Sequence, residues 1–243
     1  MATCFLDCEF TDLLHPELLS LGLVALDGAE HYVELDLNSG TGKARANASS
    51  DFVRHGGVLD LWGLVEGAKS SQWELGRRTG DWLLALSQKS GTQVEVCFDY
   101  PTDLELMEAA IRDSGLWDQV REALLPTNVS ALTGTIDGEL AAEDCFRTLA
   151  KRGLRRHHAL ADALALRAAY LAVRGNAMFL TGFVRTDDFR RLVNAAGGPE
   201  WESWTRRWLL KPAFGLGRLP LDIASEPGEV DLLEAYLGRI GNG

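Results

Sequence analysis

The chain has 243 residues, of which 46% are hydrophobic and 24% are charged, the balance of a globular protein with an ample core. Its formal net charge of −11 argues against a protein that holds nucleic acid by general electrostatic attraction, but not against an enzyme that grips one strand end. No apolar run approaches the roughly 18 residues that span a bilayer, no secretion signal is recognisable, and the four cysteines form no CxxC pair, so we expect a cytoplasmic protein with reduced thiols.

The first predicted elements form an antiparallel meander. Residues 3–10, 18–26 and 31–37 have the composition of strands, and the Asp-Gly turn before the third strand suits a hairpin. A loop rich in Gly, Ser and Asn is expected over 38–50.

Helices and strands alternate in the middle of the chain. Apolar spacing predicts a strand over 92–98 and helices over 71–90, 102–115, 142–153 and 159–175. A meander followed by such alternation predicts a mixed α/β sheet with helices on its faces. After Gly175 only helical stretches cut by Gly and Pro remain, so we expect a main domain over 1–177 and a small all-α domain over 178–243.

Two carboxylates stand at the end of the first predicted strand. Side chains two apart on a strand point to the same face, so Asp7 and Glu9 project together. Burying them without a positive partner costs several kcal/mol, and a divalent cation with oxygen ligands would relieve the repulsion. Taken alone, a solvated strand end explains the pair as well.

Two further segments carry acids and a histidine. Asp103 begins the helix after the fourth strand, where an N-cap is the commoner role of Asp, and Asp99 is the alternative ligand if the register differs. His157 and Asp162 lie five apart and would point about 140° apart within one helix, so they share a site only if His157 precedes the helix on a loop. Arg156 makes that loop basic, which suits a phosphate.

In this order the segments "LDCEFTD", "FDYPTDLELM" and "HHALADA" resemble the three motifs of the DEDDh family of 3′→5′ exonucleases. The resemblance covers about residues 3–175, and Asp99 stands where that family commonly has Asn. It implies an RNase H-like fold with a mixed five-stranded sheet flanked by helices, and two bound Mg²⁺ or Mn²⁺ ions. The implied roles are metal ligation by four acids and catalysis by His157 as general base together with Glu9; the four acids are Asp7, Glu9, Asp103 and Asp162.

The resemblance also suggests the substrate. Residues 16–36 are similar to a bacterial exoribonuclease branch of the family, which favours single-stranded RNA 3′ ends over DNA. The candidate substrate contacts are Thr11, Leu13, Asp99 and Arg156. Leu13 would wedge against the terminal base, although a core position explains it equally, and Trp62, Trp73 and Trp82 are weaker candidates for base stacking.

The C-terminal segment 208–243 resembles the toxin-binding domain of Xre/MbcA/ParS-type antitoxins, including turn residues at Pro212 and Gly217. Trp201, Trp204 and Trp208 lie at helical spacing and form an apolar stripe, which serves either internal packing or contact with a second copy or a protein partner. No membrane partner is expected. The competing functions are a DNA exonuclease, a non-catalytic antitoxin-like interaction protein, and a phosphatase or nucleotidase.

Overall fold

The computed structural model of the chain describes residues 2–211, 213, 215–216, 220–226 and 228–240, with side chains for all of these except 176–179 and 240. The chain divides into two compact units, Met1–Ala172 and Val173–Gly243, whereas the sequence suggests a division after residue 177. Within the described ranges, no helix combines the length and the apolar character needed to cross a bilayer.

The first unit contains one mixed sheet of six strands, one more than expected, in the order β4-β3-β2-β1-β5-β6. The strands are β1 (Ala2–Phe10), β2 (Leu18–Ala25), β3 (Glu30–Leu35), β4 (Lys69–Ser70), β5 (Val94–Phe98) and β6 (Leu124–Asn128). β1 pairs antiparallel with β2 and parallel with β5. Because β1 and β5 are parallel neighbours, their C-terminal ends point to the same end of the sheet.

The helices of the first unit connect and cover these strands. They are α1 (Gly40–Ala48), α2 (Asp51–His55), α3 (Gln72–Ser90), α4 (Pro101–Asp113), α5 (Trp117–Val120), α6 (Ser130–Thr133), α7 (Ile136–Leu149) and α8 (Ala159–Phe183), the last of which runs into the second unit. The four predicted helices correspond to α3, α4, α7 and α8.

The prediction of a loop over 38–50 is wrong, because α1 occupies most of it. Ser39 caps this helix, and its hydroxyl accepts a hydrogen bond from the Gly42 N–H at 3.0 Å. The helix has almost no apolar stripe, so hydrophobic spacing could not reveal it.

The two faces of β1 pack against different helices. Its even-numbered apolar residues Cys4, Leu6 and Cys8 join the core formed with α3 and α4. Phe5 packs on the other face, against Leu166 and Tyr170 of α8. Asp7 and Glu9 share the face of Phe5, so they project toward the side that α8 covers.

The second unit is helical throughout its described part. After the end of α8 it contains α9 (Asp187–Ala196), α10 (Glu202–Leu209), α11 (Pro220–Ala224) and α12 (Val230–Ile240). Trp208 is stacked between Trp204 and Tyr236, with ring centroids 5.9 and 6.0 Å away, and it lies in this unit's core. The predicted turn residues Pro212 and Gly217 lie outside the described residues.

Candidate active site

Two acids come from the end of the central strand. Asp7 and Glu9 are half-buried, and their cross-strand neighbours on β2 are Gly22 and Ser20. The register of the pairing shifts between Glu9 and Phe10, which ends the regular ladder directly after the two acids. Both carboxylates therefore lie at the C-terminal end of β1.

Two more acids come from the junction of β5 and α4. Asp99 follows the last residue of β5 and is exposed, whereas Asp103 lies in the first turn of α4 and is only 2% exposed. Because β5 is parallel to β1, this junction falls beside the end of β1. One carboxylate oxygen from each of Asp7, Asp99 and Asp103 lies within 4.8 Å of the others.

The fifth acid comes from the first turn of α8. Asp162 contributes to a second group, in which its carboxylate and those of Asp7 and Glu9 have oxygens within 4.8 Å of one another. Its Oδ2 also accepts a hydrogen bond from the His158 N–H at 3.1 Å, which ties the carboxylate to the start of the helix. Asp7 is common to both groups and stands between them.

His157 precedes α8 on an exposed loop, and it lines the same cavity as Asp162. Its backbone is left-handed, with φ 64°, a conformation that non-glycine residues seldom adopt. Its ring meets the ring of Phe52 edge-on at a centroid distance of 4.9 Å. The structure thus brings His157 and the five acids together.

Burial raises the pKa of all five acids, and repulsion from neighbouring acids adds to the effect for all of them except Asp99. Burial is the main cause for Asp7, whose pKa is raised well above its usual range, with Asp162 and Asp103 adding to the effect. Burial likewise raises the pKa of Glu9 to about 8, that of Asp103 to about 8 and that of Asp162 to about 7. The pKa of Asp99 is raised by burial too.

The acids have no ionic partner among the described side chains that would offset this repulsion. No ion pair within the described ranges reaches them, and the nearby Arg156 binds Glu143 instead while its guanidinium lies 4.4 Å over the ring of Phe146. Two oxygen-rich groups that share one carboxylate have the donor set that Mg²⁺ and Mn²⁺ prefer. The residues present therefore fit divalent cations.

A cavity of about 640 Å³ opens over the acids. Acidic residues line one part of it, with His157 at its rim, and the remaining lining is mostly apolar. Leu13 projects there with 73% exposure, and Phe10 and Tyr100 stack beside it at 6.4 Å. The apolar residues that line the cavity are Phe10, Leu13, Phe52, Val53 and Tyr100.

A second cavity, of about 430 Å³, lies on the other side of the same acids. It shares Asp7, Tyr100 and Asp162 with the first cavity and extends between α6, α7 and α8. Arg156 and Asp99 also line it. A linear molecule that crossed the acids would therefore have room on both sides of them.

Other predicted contacts lie elsewhere. Thr11 is 1% exposed and lines neither cavity; its hydroxyl accepts a hydrogen bond from the Glu17 N–H at 3.0 Å and so closes a turn. Trp62, Trp73 and Trp82 do not line the two cavities either, and the Trp82 ring stacks on His31.

Sequence reasoning missed a buried polar group beside the acids. Tyr32, Glu34 and His158 are each at most 6% exposed and lie under the start of α8. The signal for Glu34 was available in "HYVELDL", where an acid stands among the apolar residues of a strand. The contact between Tyr32 and His158 joins residues far apart in the chain and left no local signal.

No protein-family model matches the chain, and no curated protein sequence matches it. The description that fold and site support on their own is an α/β protein with two groups of clustered carboxylates at the edge of a mixed sheet, flanked by two cavities.

Proposed function

We propose that the chain is a metal-dependent 3′→5′ exonuclease that removes nucleotides from single-stranded 3′ ends, with RNA as the preferred substrate. The observation that carries the proposal is the meeting of five carboxylates from three separate segments beside a loop histidine, without an ionic partner among the described side chains. Such a cluster is costly for folding, since it sets like charges against each other in a buried place. A binding function for cations accounts for this cost.

The proposed ligand sets follow the two groups of oxygens. Asp7, Glu9 and Asp162 would hold one cation, and Asp7 with Asp103 or Asp99 would hold a second. When bound, two such cations offset the charge that develops on a phosphodiester under attack and make water a stronger nucleophile.

His157 is the proposed general base. Burial lowers its pKa, and the neighbouring charges of Arg156 and Arg155 lower it further, so its surroundings favour the neutral ring. A neutral imidazole has one unprotonated ring nitrogen, which takes the proton from the attacking water. Its place at the rim of the first cavity suits this role.

The two cavities suggest how a strand would lie. The base of the terminal nucleoside has flat aromatic faces, and the first cavity offers them the apolar surfaces of Leu13, Phe52 and Tyr100. The preceding nucleoside would then occupy the second cavity, where Arg156 provides positive charge. The scissile phosphate would lie over the acids that the cavities share.

The second unit is proposed to contact a second copy or a protein partner. Trp201, Leu210 and Leu232 of this unit are each between 38% and 47% exposed, so they offer apolar surface to such a partner. A sedimentation measurement of the purified protein tests this, since a monomer at all concentrations would contradict self-association.

The nuclease proposal is tested with 5′-labelled single-stranded RNA and DNA of one sequence, incubated with Mn²⁺ or with EDTA. We expect a ladder that shortens from the 3′ end, only with metal and faster for RNA. Asp7→Asn should lose more than about 100-fold in rate and His157→Ala about 100- to 10,000-fold. Asp118→Asn is the matched control, because Asp118 is a highly exposed acid on α5 that pairs with Arg121.

Undiminished cleavage by Asp7→Asn, or cleavage that persists in EDTA, would contradict the proposal. Faster cleavage of DNA would retain the nuclease and correct the preferred sugar. Release of phosphate from mononucleotides without shortening of strands would instead indicate a phosphatase. If none of these substrates is hydrolysed in a metal-dependent way, the non-catalytic interaction protein is the remaining candidate function.

A further inference from the structure

The residue next to the proposed base is a buried histidine whose ring has no hydrogen bond. His158 is 1% exposed, and neither Nδ1 nor Nε2 has a partner among the described residues. Polar atoms buried in this way usually have a partner. Among the described residues, the contacts of the His158 ring are therefore made by its face and not by its nitrogens.

The His158 ring makes its aromatic contact through one face. It stacks on the ring of Tyr32 in β3, with centroids 4.4 Å apart and planes inclined by 26°. The Tyr32 hydroxyl donates a hydrogen bond to Glu34 Oε2 at 3.0 Å, and the Glu34 carboxylate also accepts the Gly63 N–H at 2.9 Å. The platform under His158 is thus fixed at its far end by a fully buried carboxylate.

The neighbouring His157 needs such support. Its left-handed backbone conformation costs free energy, and such a conformation persists only when the surrounding structure holds it in place. The exposed Phe52 meets the His157 ring edge-on, and the Arg155 guanidinium donates a hydrogen bond to the Gly57 carbonyl at 3.1 Å. The His158 N–H donates a hydrogen bond to Asp162, and the His158 ring stacks on Tyr32, which belongs to a buried core cluster.

We propose that His158 and Tyr32 are positioning residues, whose ring stack holds the His157 loop in its left-handed conformation over the acids. The catalytic part of this inference rests on the proposed nuclease function, whereas the ordering of the His157 ring does not. The stack acts through shape and ring contact, since the imidazole nitrogens take no part in hydrogen bonds with described residues. A flat apolar ring should therefore replace His158, while a branched aliphatic side chain should not.

The first test is the NMR signal of the His157 ring in the full-length protein. We expect a dispersed signal in the wild type and in His158→Phe, and a signal near the random-coil position in His158→Leu and His158→Ala. His31→Ala is the matched control, because His31 lies next to Tyr32 on β3 and, like His158, stacks on an aromatic ring, that of Trp82, at 5.5 Å. It should leave the His157 signal unchanged.

The His31 ring signal reports whether each His158 variant is folded. If His158→Ala fails to fold, the decision rests on His158→Leu, which fills more of the volume without a flat ring. A folded His158→Leu with the wild-type His157 signal would overturn the inference, and so would a folded His158→Phe that loses it. Neither outcome depends on whether the protein is a nuclease.

The second test is a double-mutant cycle on the cleavage rate. We expect His158→Leu to lower kcat at least about 10-fold with KM nearly unchanged, and to have less than about a 2-fold effect when His157 is already Ala. A purely structural role would lower the rate equally in both backgrounds and would overturn the catalytic part. Absence of cleavage by the wild type would overturn the nuclease proposal and with it that part, leaving the NMR result to decide the ordering.

Discussion

At the scale of single residues, the site is dominated by carboxylates that burial keeps partly protonated. A folded-state pKa near 8 for Glu9 and Asp103 lies far above the value of the same groups in an unfolded chain. Between these two values the unfolded chain binds fewer protons than the folded one, so stability falls as pH rises. A cation bound by the ionised acids, as proposed, would offset this cost.

The first prediction follows from that sign. Without metal, the thermal midpoint should fall by at least about 2 °C between about pH 6.5 and pH 8.5, a window above the range in which buried His31 and His158 titrate. Added Mn²⁺ should raise the midpoint more at the higher pH, because it binds the ionised acids of the folded state. Differential scanning calorimetry measures both effects.

Asp103→Asn provides the comparison for this measurement. Removing one buried charge should raise the metal-free midpoint at high pH and reduce the gain from Mn²⁺. A variant with the wild-type pH slope and the wild-type response to Mn²⁺ would contradict the assignment of these acids to a cation site.

The second prediction separates Asp103 from Asp99. Asp103 is almost fully buried and adjoins the acids of β1, whereas Asp99 is exposed and lines the second cavity. We expect Asp103→Asn to lower the cleavage rate more than about 100-fold, because it removes a metal ligand. Asp99→Asn should lower the rate about 10-fold, the effect typical of a residue that supports the ligands without binding the metal. Cleavage rates of the two variants, measured with Mn²⁺ in excess, test this prediction. A larger loss of rate in Asp99→Asn than in Asp103→Asn would make Asp99 the third ligand.

The sequence revealed the acids better than the groups that support them. Asp7 and Glu9 were found because strand alternation is local. Helical geometry allowed His157 and Asp162 to share a site only if His157 precedes the helix, and in the structure it does. The choice between Asp99 and Asp103 was open because it depends on where a strand ends within a few residues. Tyr32 and His158 meet only through tertiary packing, which no spacing along the chain reports.

At the scale of elements, the start of α8 lies unusually close to the sheet. A Cβ atom on Gly22 of β2 would stand 2.4 Å from the Ala159 carbonyl oxygen, so only glycine allows this approach. Gly22 is also the cross-strand neighbour of Asp7 and of Tyr32. The distance between α8 and the sheet therefore fixes how Asp162 meets the acids of β1.

The third prediction is that Gly22→Ala loses activity beyond its effect on stability. The added methyl group should push the start of α8 away and cost about 1–3 kcal/mol in the free energy of unfolding. Gly76→Ala is the control, since its Cβ would stand 1.9 Å from the Ala110 carbonyl oxygen between α3 and α4, away from the acids. Chemical denaturation and cleavage rates should show both variants destabilised but only Gly22→Ala reduced in kcat per folded molecule; equal losses of activity would contradict the account.

Elements with strong apolar spacing were predictable, whereas several without it were not, among them β6 and α1. The strands of the meander and the helix α3 follow their patterns closely, and α3 ends at Gly91 in the left-handed conformation expected of a helix stop. β6 was not located because it contains Pro126 and is mostly exposed at the edge of the sheet. α1 was missed because its surface is polar almost all round.

At the scale of the whole molecule, the charge of −11 sets how far binding can extend along a strand. General attraction between protein and phosphates is absent, so affinity should come from the 3′ end alone. This predicts that KM per 3′ end is the same, within about 2-fold, for a trinucleotide and for a much longer strand. It also predicts that KM depends on salt concentration only as strongly as expected for about one or two phosphate contacts. A KM that falls steadily with strand length would contradict it.

The most direct test of the central claim is the identity of the first product released from a short single-stranded RNA by the full-length protein with Mn²⁺. Attack of water on the last phosphodiester predicts a nucleoside 5′-monophosphate from the 3′ end, accompanied by a strand one nucleotide shorter, both detected by mass spectrometry and both absent with EDTA or in Asp7→Asn. Release from the 5′ end, internal fragments, or the same products from Asp7→Asn would contradict the account.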